Sequence, residues 1–263
     1  MSLHTRQGII YPPTVPVLDG SDPINRGLMA WWRFEPNDKA GTSILDATGN
    51  RYTGTLVGTP PFIKGRVGQA LSLNGSSQYM SGTDAFPTGT SVLTISFWFY
   101  YTASSAFGNL ISKNPNSNNS TTWDWGLLWD SPPNDLYLIR NGANLSPTGV
   151  NLTTSVWMHI AAVIGVSASY FYVNGLLKNT QGGVGAGATS NTSGRFIQIG
   201  GAGGGFTGSI DEVRIHNRAL TSSEISRLYS DTSGGLGLVK PRKVFGRGSG
   251  APIWHPRVIR WGR

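Results

Sequence analysis

Alternation of apolar and polar positions is the strongest pattern in the chain, and it predicts a protein built of β-strands. In residues 94–101, every second position from Ile95 to Tyr101 carries isoleucine, phenylalanine or tyrosine. A period of two, rather than the 3.6 of a helix, predicts a strand with one face in a core. Similar runs predict further strands at residues 29–34, 70–73, 78–81, 110–113, 123–129, 136–140, 156–163, 170–173, 176–179, 196–199 and 209–215.

Two local signals fix a turn and a helix start. Asn174-Gly175 lies between two apolar runs, and this dipeptide supplies the two positive φ angles of a type I′ hairpin. Thr221 and Glu224 have the spacing of a capping box, and apolar residues from Ile225 onward fall on one helical face. We therefore expect a hairpin at 174–175 and one short helix near the end of the strand-rich region.

The composition agrees with an all-β fold. The 263 residues include 36 Gly and 15 Pro, no Cys, and only 13% charged residues, which argues against helical bundles, coiled coils and disulfide scaffolds. About a dozen strands exceed what an immunoglobulin-like sandwich of about 100 residues holds. A propeller would show sequence repeats, and no fixed-period repeat is evident in this chain. We expect a two-sheet antiparallel jelly-roll sandwich with one short C-terminal helix and irregular N- and C-terminal arms.

The charges divide the chain into three parts. The net charge is +8, but residues 1–26 are neutral, residues 27–231 carry +1, and the remaining seven positive charges lie beyond residue 239. Residues 10–23 hold four prolines, and glycines at 234–237 resemble a flexible joint. We predict a Pro-rich arm at 1–26, a domain at 27–231, and a Gly-rich joint with a basic, aromatic tail at 232–263.

Seven short motifs follow one another through the predicted domain. They are GLMAWWRFE at 27–35, DATGN at 46–50, GQALSLNG at 68–75, LTISFWF at 93–99, WMHIA at 157–161, YVNG at 172–175 and FTGSIDEVRI at 206–215. Their order resembles the laminin-G-like branch of the concanavalin A-like lectin/glucanase superfamily. The resemblance implies two antiparallel sheets, one of them concave. It leaves function open, because such folds serve lectins, glycosidases, adhesion modules and structural parts of assemblies.

The sequence lacks the paired carboxylates that a glycosidase needs. The resemblance implies that a glucanase would carry a Glu-x-Asp-x-Glu-like strand, with its acid and nucleophile about 5 Å apart. Asp124 and Asp130 lie six residues apart, which is too far on one strand. Asp211 and Glu212 would point to opposite faces of a regular strand. We therefore expect no enzymatic activity.

One strand concentrates candidate sugar-binding groups. Trp123, Trp125 and Trp129 fall on one face of the predicted strand, and Asp124 falls on the other. Flat aromatic rings stack on sugars while carboxylates accept hydrogen bonds from sugar hydroxyls. The alternative is that the three tryptophans fill the core between the sheets, which strand alternation alone explains.

A structural calcium ion is the only cofactor that the sequence suggests. Asp46 and Asn50 lie in an early turn and Asp211 in a late strand, and the resemblance implies that calcium can bind where such elements meet. Oxygen donors are the ligands that calcium requires. The alternative is an Asx turn at Asp46 and Asn50 and a backbone cap at Asp211.

The C-terminal tail combines cationic and aromatic residues. We assign it to docking on a protein partner rather than to nucleic-acid contact or a solvated end, because it also holds many apolar residues. The residues expected to dock are Lys240, Arg242, Lys243, Arg247, Trp254, Arg257, Arg260 and Trp261.

These observations together favour a component of a virion. The chain has no visible signal peptide and no apolar run long enough to span a bilayer, which suggests synthesis in a host cytoplasm. We expect a non-enzymatic head decoration or fibre-type protein that displays a lectin-like domain. Its terminal arms would anchor it to other structural proteins. The alternative is a free-standing carbohydrate-binding adhesion protein whose partners are cell-surface glycans.

Overall fold

The structure is a computed structural model. It describes residues 16–82, 92–103, 108–113, 124–130, 135–140, 143–144, 148–182, 196–201 and 206–238. In chain order its strands are β1 (Leu28–Trp32), β2 (Lys39–Ala40), β3 (Ser43–Ile44), β4 (Gly54–Val57), β5 (Phe62–Lys64), β6 (Gln69–Asn74), β7 (Tyr79–Ser81), β8 (Leu93–Ala103), β9 (Gly108–Lys113), β10 (Trp125–Asp130), β11 (Asp135–Arg140), β12 (Ala143–Asn144), β13 (Met158–Ile164), β14 (Ala168–Val173), β15 (Leu176–Gly182), β16 (Ile197–Gly200) and β17 (Thr207–His216).

The strands form two antiparallel sheets. The first sheet has the order β15-β14-β13-β8-β17-β6-β5, and β1 pairs with another part of β17. The second has the order β12-β11-β10-β9-β16-β7-β4-β3-β2. The predicted all-β, two-sheet sandwich of jelly-roll type is confirmed. Short strands such as β2 and β3 were not predicted, because two residues are too few to display an alternation.

The main core lies between the two sheets. From β8 it receives Ile95, Phe97, Phe99 and Tyr101, all fully buried, as the alternation in this strand predicts. The second sheet contributes Trp129, whose ring centroid lies 4.5 Å from that of Tyr101. Burial of aromatic rings from both sheets supplies the largest apolar contribution to the folded state.

The predicted hairpin and helix are both present. Asn174 and Gly175 join β14 to β15 with φ angles of 52° and 77°. The helix α1 (Ser222–Ser230) begins with the capping box, in which the Thr221 side chain accepts from the backbone N–H of Glu224. No helix in the described part of the chain is long and apolar enough to cross a membrane.

The strand β17 contains a bulge that its sequence does not reveal. Its pairing with β8 shifts between Asp211 and Arg214, and Glu212 has a φ of +52°. Ile210 and Val213 face the main core, while Asp211 and Glu212 both turn away from it. The prediction that these two carboxylates occupy opposite faces is therefore wrong, because an extra residue interrupts the alternation.

Replacing Trp129 by alanine should lower the free energy of unfolding by roughly 3–5 kcal/mol, because it leaves a cavity between the sheets. Chemical denaturation measures the change. The control is Tyr170→Ala on β14, where the side chain is 39% exposed and little change is expected. If Trp129→Ala does not fold, Trp129→Phe should fold with a smaller loss. A Trp129→Ala protein as stable as the Tyr170→Ala control would contradict this packing.

Candidate functional site

The tryptophans of the predicted sugar site belong to the core. Trp125 is 2% exposed and Trp129 is fully buried, and both lie in the cluster between the sheets. A sugar could reach neither ring without separation of the sheets. The sugar-stacking prediction is thus corrected for these two residues in favour of the core alternative. Trp123 lies outside the described residues.

Asp124 is also buried, and it faces a cation of the protein itself. Its Oδ2 lies 3.5 Å from Nζ of Lys113, and both side chains are at most 1% exposed. A buried carboxylate beside a buried ammonium group is compensated by that neighbour. Asp124 therefore pairs with Lys113 inside the sandwich rather than presenting a carboxylate to a sugar, and this prediction is corrected too.

The predicted calcium ligand Asp46 is occupied by donors of the protein. Its Oδ1 accepts from the backbone N–H of Trp31 at 3.0 Å and of Thr48 at 2.9 Å. Its Oδ2 accepts from the Thr48 hydroxyl at 2.6 Å and from the backbone N–H of Tyr52 at 3.3 Å. Both oxygens therefore organise the turn after β1, as the Asx alternative predicts.

Asn50 and Asp211 do not complete a calcium site. The Asn50 amide donates to the carbonyl of Met29 at 2.9 Å, and Asp211 accepts from the backbone N–H of Val67 at 2.9 Å. Burial, reinforced by the adjacent Glu212, raises the pKa of Asp211 to about 9, so its carboxyl is neutral at pH 7. Within the described ranges, no three His, Asp or Glu side chains are arranged to hold a metal. The residues as placed do not fit calcium.

The residues assigned to partner docking lie outside the described residues, since the description ends at residue 238.

What the structure adds is the arrangement just before them. The segments 18–26 and 231–238 pair with each other, and we call them the terminal clasp. Leu18 and Leu238 form an antiparallel bridge, and the N–H of Asp19 donates to the carbonyl of Gly237 at 2.7 Å. The Asn25 amide donates to the carbonyls of Asp19 at 2.8 Å and Gly237 at 2.7 Å.

Local sequence patterns do not predict the terminal clasp. A Pro-rich stretch predicts an extended arm, and a Gly-rich stretch predicts a flexible joint. The glycines instead occupy defined turn positions, with φ angles of +65° at Gly234 and +84° at Gly237. A β-carbon on Gly237 would lie 2.5 Å from Oδ1 of Asn25, so glycine is required where the two segments approach.

Apolar contacts and ion pairs hold the terminal clasp on the sandwich. Ile24 is fully buried in a cluster with residues of β13, β14 and α1. The Arg218 guanidinium donates to the carbonyl of Pro23 at 2.9 Å and to Glu224 at 2.6 Å. Arg227 on α1 pairs with Asp22 at 3.0 Å.

A buried charged layer lies beside the terminal clasp on the outer face of the first sheet. Glu212 Oε2 accepts from the Trp31 indole at 2.9 Å and from Arg214 at 3.1 Å, and the Arg214 guanidinium lies 3.9 Å from the centre of the Trp31 ring. Burial raises the pKa of Glu212 to about 7, while Arg214 opposes that rise. The Arg214 guanidinium also donates to the carbonyl of Leu236 in the terminal clasp at 3.4 Å.

Two histidines in this layer are neutral. Burial lowers the pKa of both His159 and His216 to about 3. The His216 ring contacts the carbonyl of Ile24 at 2.8 Å, which requires a proton on Nε2. The His159 ring lies 5.3 Å from the ring of Trp98 and 6.3 Å from that of Tyr229. Both rings therefore support the packing of the outer face.

Two cavities border these elements. A cavity of about 10 Å³, large enough for one water molecule, is lined by Ser96, Trp98, His159, Glu212, Arg214, Leu228 and Asp231. A larger cleft of about 550 Å³ opens at the terminal clasp, where its lining includes Asp19, Asp22, Arg227, Asp231, Leu236 and Leu238. The larger cleft lies where the two segments of the terminal clasp meet.

Replacing His159 by phenylalanine should make the protein less sensitive to acid. The folded-state pKa of about 3 is below the ordinary value of 6.5, so the unfolded state binds a proton that the folded state does not. Stability is therefore lost as the pH falls from 6.5 towards 3, by about 1.4 kcal/mol per pH unit for one histidine. Denaturation curves across this range measure both proteins. Parallel pH profiles would contradict the neutral, buried state of His159.

Chelation should leave the melting temperature unchanged, because Asp46, Asn50 and Asp211 are held by separate protein donors and acceptors. The measurement compares protein equilibrated with calcium before and after addition of excess EDTA. A fall in melting temperature that calcium reverses would reveal a site that these three residues do not account for.

Comparisons with solved structures agree with the sandwich. The chain is similar to domain 4 of AbnA, an extracellular arabinanase of Geobacillus stearothermophilus solved with arabinotriose (22% identity, TM-score 0.61, 77% of this chain and 98% of that one). It is also similar to the binding domain of Paraclostridial Mosquitocidal Protein 1 (18%, 0.62, 78% and 52%) and to Trypanosoma rangeli sialidase with sialic acid (18%, 0.59, 77% and 32%). The chain thus spans half of that toxin domain and a third of the sialidase. No curated protein sequence matches it.

The family comparison bears on the predicted resemblance directly. A family model described as the concanavalin A-like lectin/glucanases superfamily matches residues 74–226, from the end of β6 into α1. This region includes four of the seven sequence motifs completely and holds most of both sheets. The predicted resemblance is confirmed: the chain belongs to the concanavalin A-like lectin/glucanases superfamily, in its laminin G branch.

Proposed function

We propose that this chain is a non-enzymatic structural protein that displays a lectin-like sandwich and joins a larger assembly, such as a virion, through the chain on either side of the terminal clasp. The observation that carries the proposal is the pairing of Leu18 with Leu238. Because of this pairing, the two positions beyond which the terminal segments continue, Leu18 and Leu238, lie side by side. Such an arrangement suits attachment at one end and display of the remaining surface.

Charge supports attachment through the same region. The segment beyond residue 239 carries seven positive charges and no carboxylate. It continues directly from the terminal clasp, where Arg227 pairs with Asp22 and the cleft has further carboxylates at Asp19 and Asp231. A basic, aromatic segment that starts at a fixed point can dock on an acidic surface of a neighbouring structural protein.

The environment of the carboxylates supports a role without catalysis. A glycosidase needs two carboxyl groups that reach the same glycosidic bond. Asp211 and Glu212 are adjacent, but both are at least nine-tenths buried, and Glu212 is engaged by Trp31 and Arg214. Asp46 is occupied by backbone and hydroxyl donors. These carboxylates serve the fold in this proposal.

The second candidate function is carbohydrate binding by a free-standing adhesion protein. Membership of a lectin/glucanase superfamily favours it, and so does the similarity to an arabinanase domain that was solved with arabinotriose. Binding to a glycan is also compatible with display on an assembly. The two candidates differ in whether the terminal segments attach the chain to other structural proteins.

Location tests the proposal directly. Antibodies raised against residues 16–238 should label particles, rather than cell surfaces or unassembled protein, in electron micrographs of material from the native source. Labelling confined to unassembled protein or to cell surfaces would contradict the structural role and leave the adhesion candidate.

Truncation should separate attachment from folding. A variant limited to residues 16–238 keeps the terminal clasp, so it should melt at the temperature of the full chain but fail to join the assembly. A matched variant limited to residues 27–231 loses the buried Ile24 and should melt at a lower temperature. Calorimetry and co-sedimentation with the particle measure the two effects. Assembly by the 16–238 variant would contradict attachment through the terminal segments.

A further inference from the structure

The outer face of the first sheet is only partly covered. Trp98 on β8 is 2% exposed, because the Tyr229 ring of α1 lies 5.6 Å from its own and the Arg66 guanidinium lies 4.7 Å from its centre. Two residues further along the same strand, Tyr100 points to the same side but is only half-buried. Beyond Tyr100, the side chain of Thr102 is exposed. The cover over this face therefore ends between Trp98 and Tyr100.

A second aromatic ring lies beside Tyr100. Trp157, immediately before β13, is also half-buried, and its ring centroid lies 5.5 Å from that of Tyr100 with an angle of 44° between the ring planes. The Tyr170 side chain of β14 is on the same outer face, but it is not part of this ring pair. Tyr100 and Trp157 thus form a local aromatic surface.

Hydroxyl side chains continue the line across the sheet. Ser209 of β17 is directly opposite Tyr100, and Ser72 of β6 is directly opposite Ser209. The neighbours of both serines, such as Ile210 and Leu71, belong to the main core, so the serines point to the outer face. Ser209 itself is buried, at 2% exposed, so the accessible side chains of this line are Trp157, Tyr100 and Ser72. We call Trp157, Tyr100, Ser209 and Ser72 the aromatic row.

The aromatic row differs from the rest of this face in its charge. All four side chains and the nearby Thr102 are uncharged, whereas the covered part holds the ion pair of Glu212 and Arg214. Four strands spaced about 4.8 Å apart give the row a length of about 15 Å. Protein interfaces of standard size bury about 800 Å² on each partner, which is more than so short a row offers. Nucleic-acid contact would require a line of cations.

We propose that the aromatic row binds a short, uncharged oligosaccharide. Tyr100 and Trp157 stack on the apolar face of a sugar ring, and the Ser72 hydroxyl, which is partly exposed, exchanges hydrogen bonds with sugar hydroxyls. This inference rests on the carbohydrate-binding candidate above and assigns it a place. That place differs from the predicted strand of Trp123, Trp125 and Trp129.

The experiment uses the full chain on an array of neutral and acidic oligosaccharides, followed by calorimetric titration of the strongest glycan. Tyr100→Leu and Trp157→Leu remove a ring but keep apolar bulk, and each should weaken binding about tenfold or more. Tyr170→Leu is the matched control, because it removes an exposed aromatic ring from the same face of the sheet. Melting temperatures of all three variants confirm that each protein is folded. If one leucine variant does not fold, the other gives the result.

The outcomes separate this inference from the function on which it rests. Binding that both leucine variants lose, that the Tyr170 variant keeps and that salt does not change would support the aromatic row. A glycan bound equally well by all variants would overturn the row and leave carbohydrate binding in place. Binding restricted to acidic glycans and weakened by salt would overturn the neutral ligand. An array without any bound glycan would overturn both the row and the carbohydrate-binding candidate.

Discussion

The ion pair between Glu212 and Arg214 makes the terminal clasp part of the folded domain. Both groups lie on the outer face of the first sheet, where they would meet water if nothing covered them. Removing two ions from water costs several kcal/mol for each, so burial is tolerated only with a close partner and additional hydrogen bonds. Trp31 and the carbonyl of Leu236 provide some of those bonds. The charged layer and the terminal clasp therefore depend on each other.

The outer face of the first sheet therefore has a covered part and a partly exposed part. Towards one end, charged groups, two neutral histidines and the buried Ile24 hold α1 and the terminal clasp in place. Towards the other end, beginning at Tyr100, the face carries neutral side chains, of which Tyr100, Trp157 and Ser72 are partly exposed. The proposed attachment and the proposed glycan binding thus use neighbouring parts of one sheet and different residues. The inner face of that sheet, along its central strands β8, β13 and β17, belongs to the core.

The sequence predicts those features that follow from local patterns. Alternation located β8, Asn174-Gly175 located the hairpin, and Thr221 with Glu224 located α1. It failed where the answer depends on residues far apart in the chain. Alternation divides the tryptophans of β10 from their neighbours without saying which face lies inside. The bulge at Glu212 and the pairing of residue 18 with residue 238 arise from contacts across the fold, so no short segment encodes them.

The antiparallel bridge between Leu18 and Leu238 also determines how the molecule bears a mechanical load. Force that pulls the two ends of the chain apart acts first on that bridge and on the hydrogen bonds of Asn25 to Gly237, not on the long ladders within the sheets. Those few hydrogen bonds lie next to one another in the terminal clasp, and they can break one after another. The terminal clasp would therefore open before the sandwich unfolds. In a domain attached through its ends, this opening would lengthen the connecting chain while the sandwich stays folded.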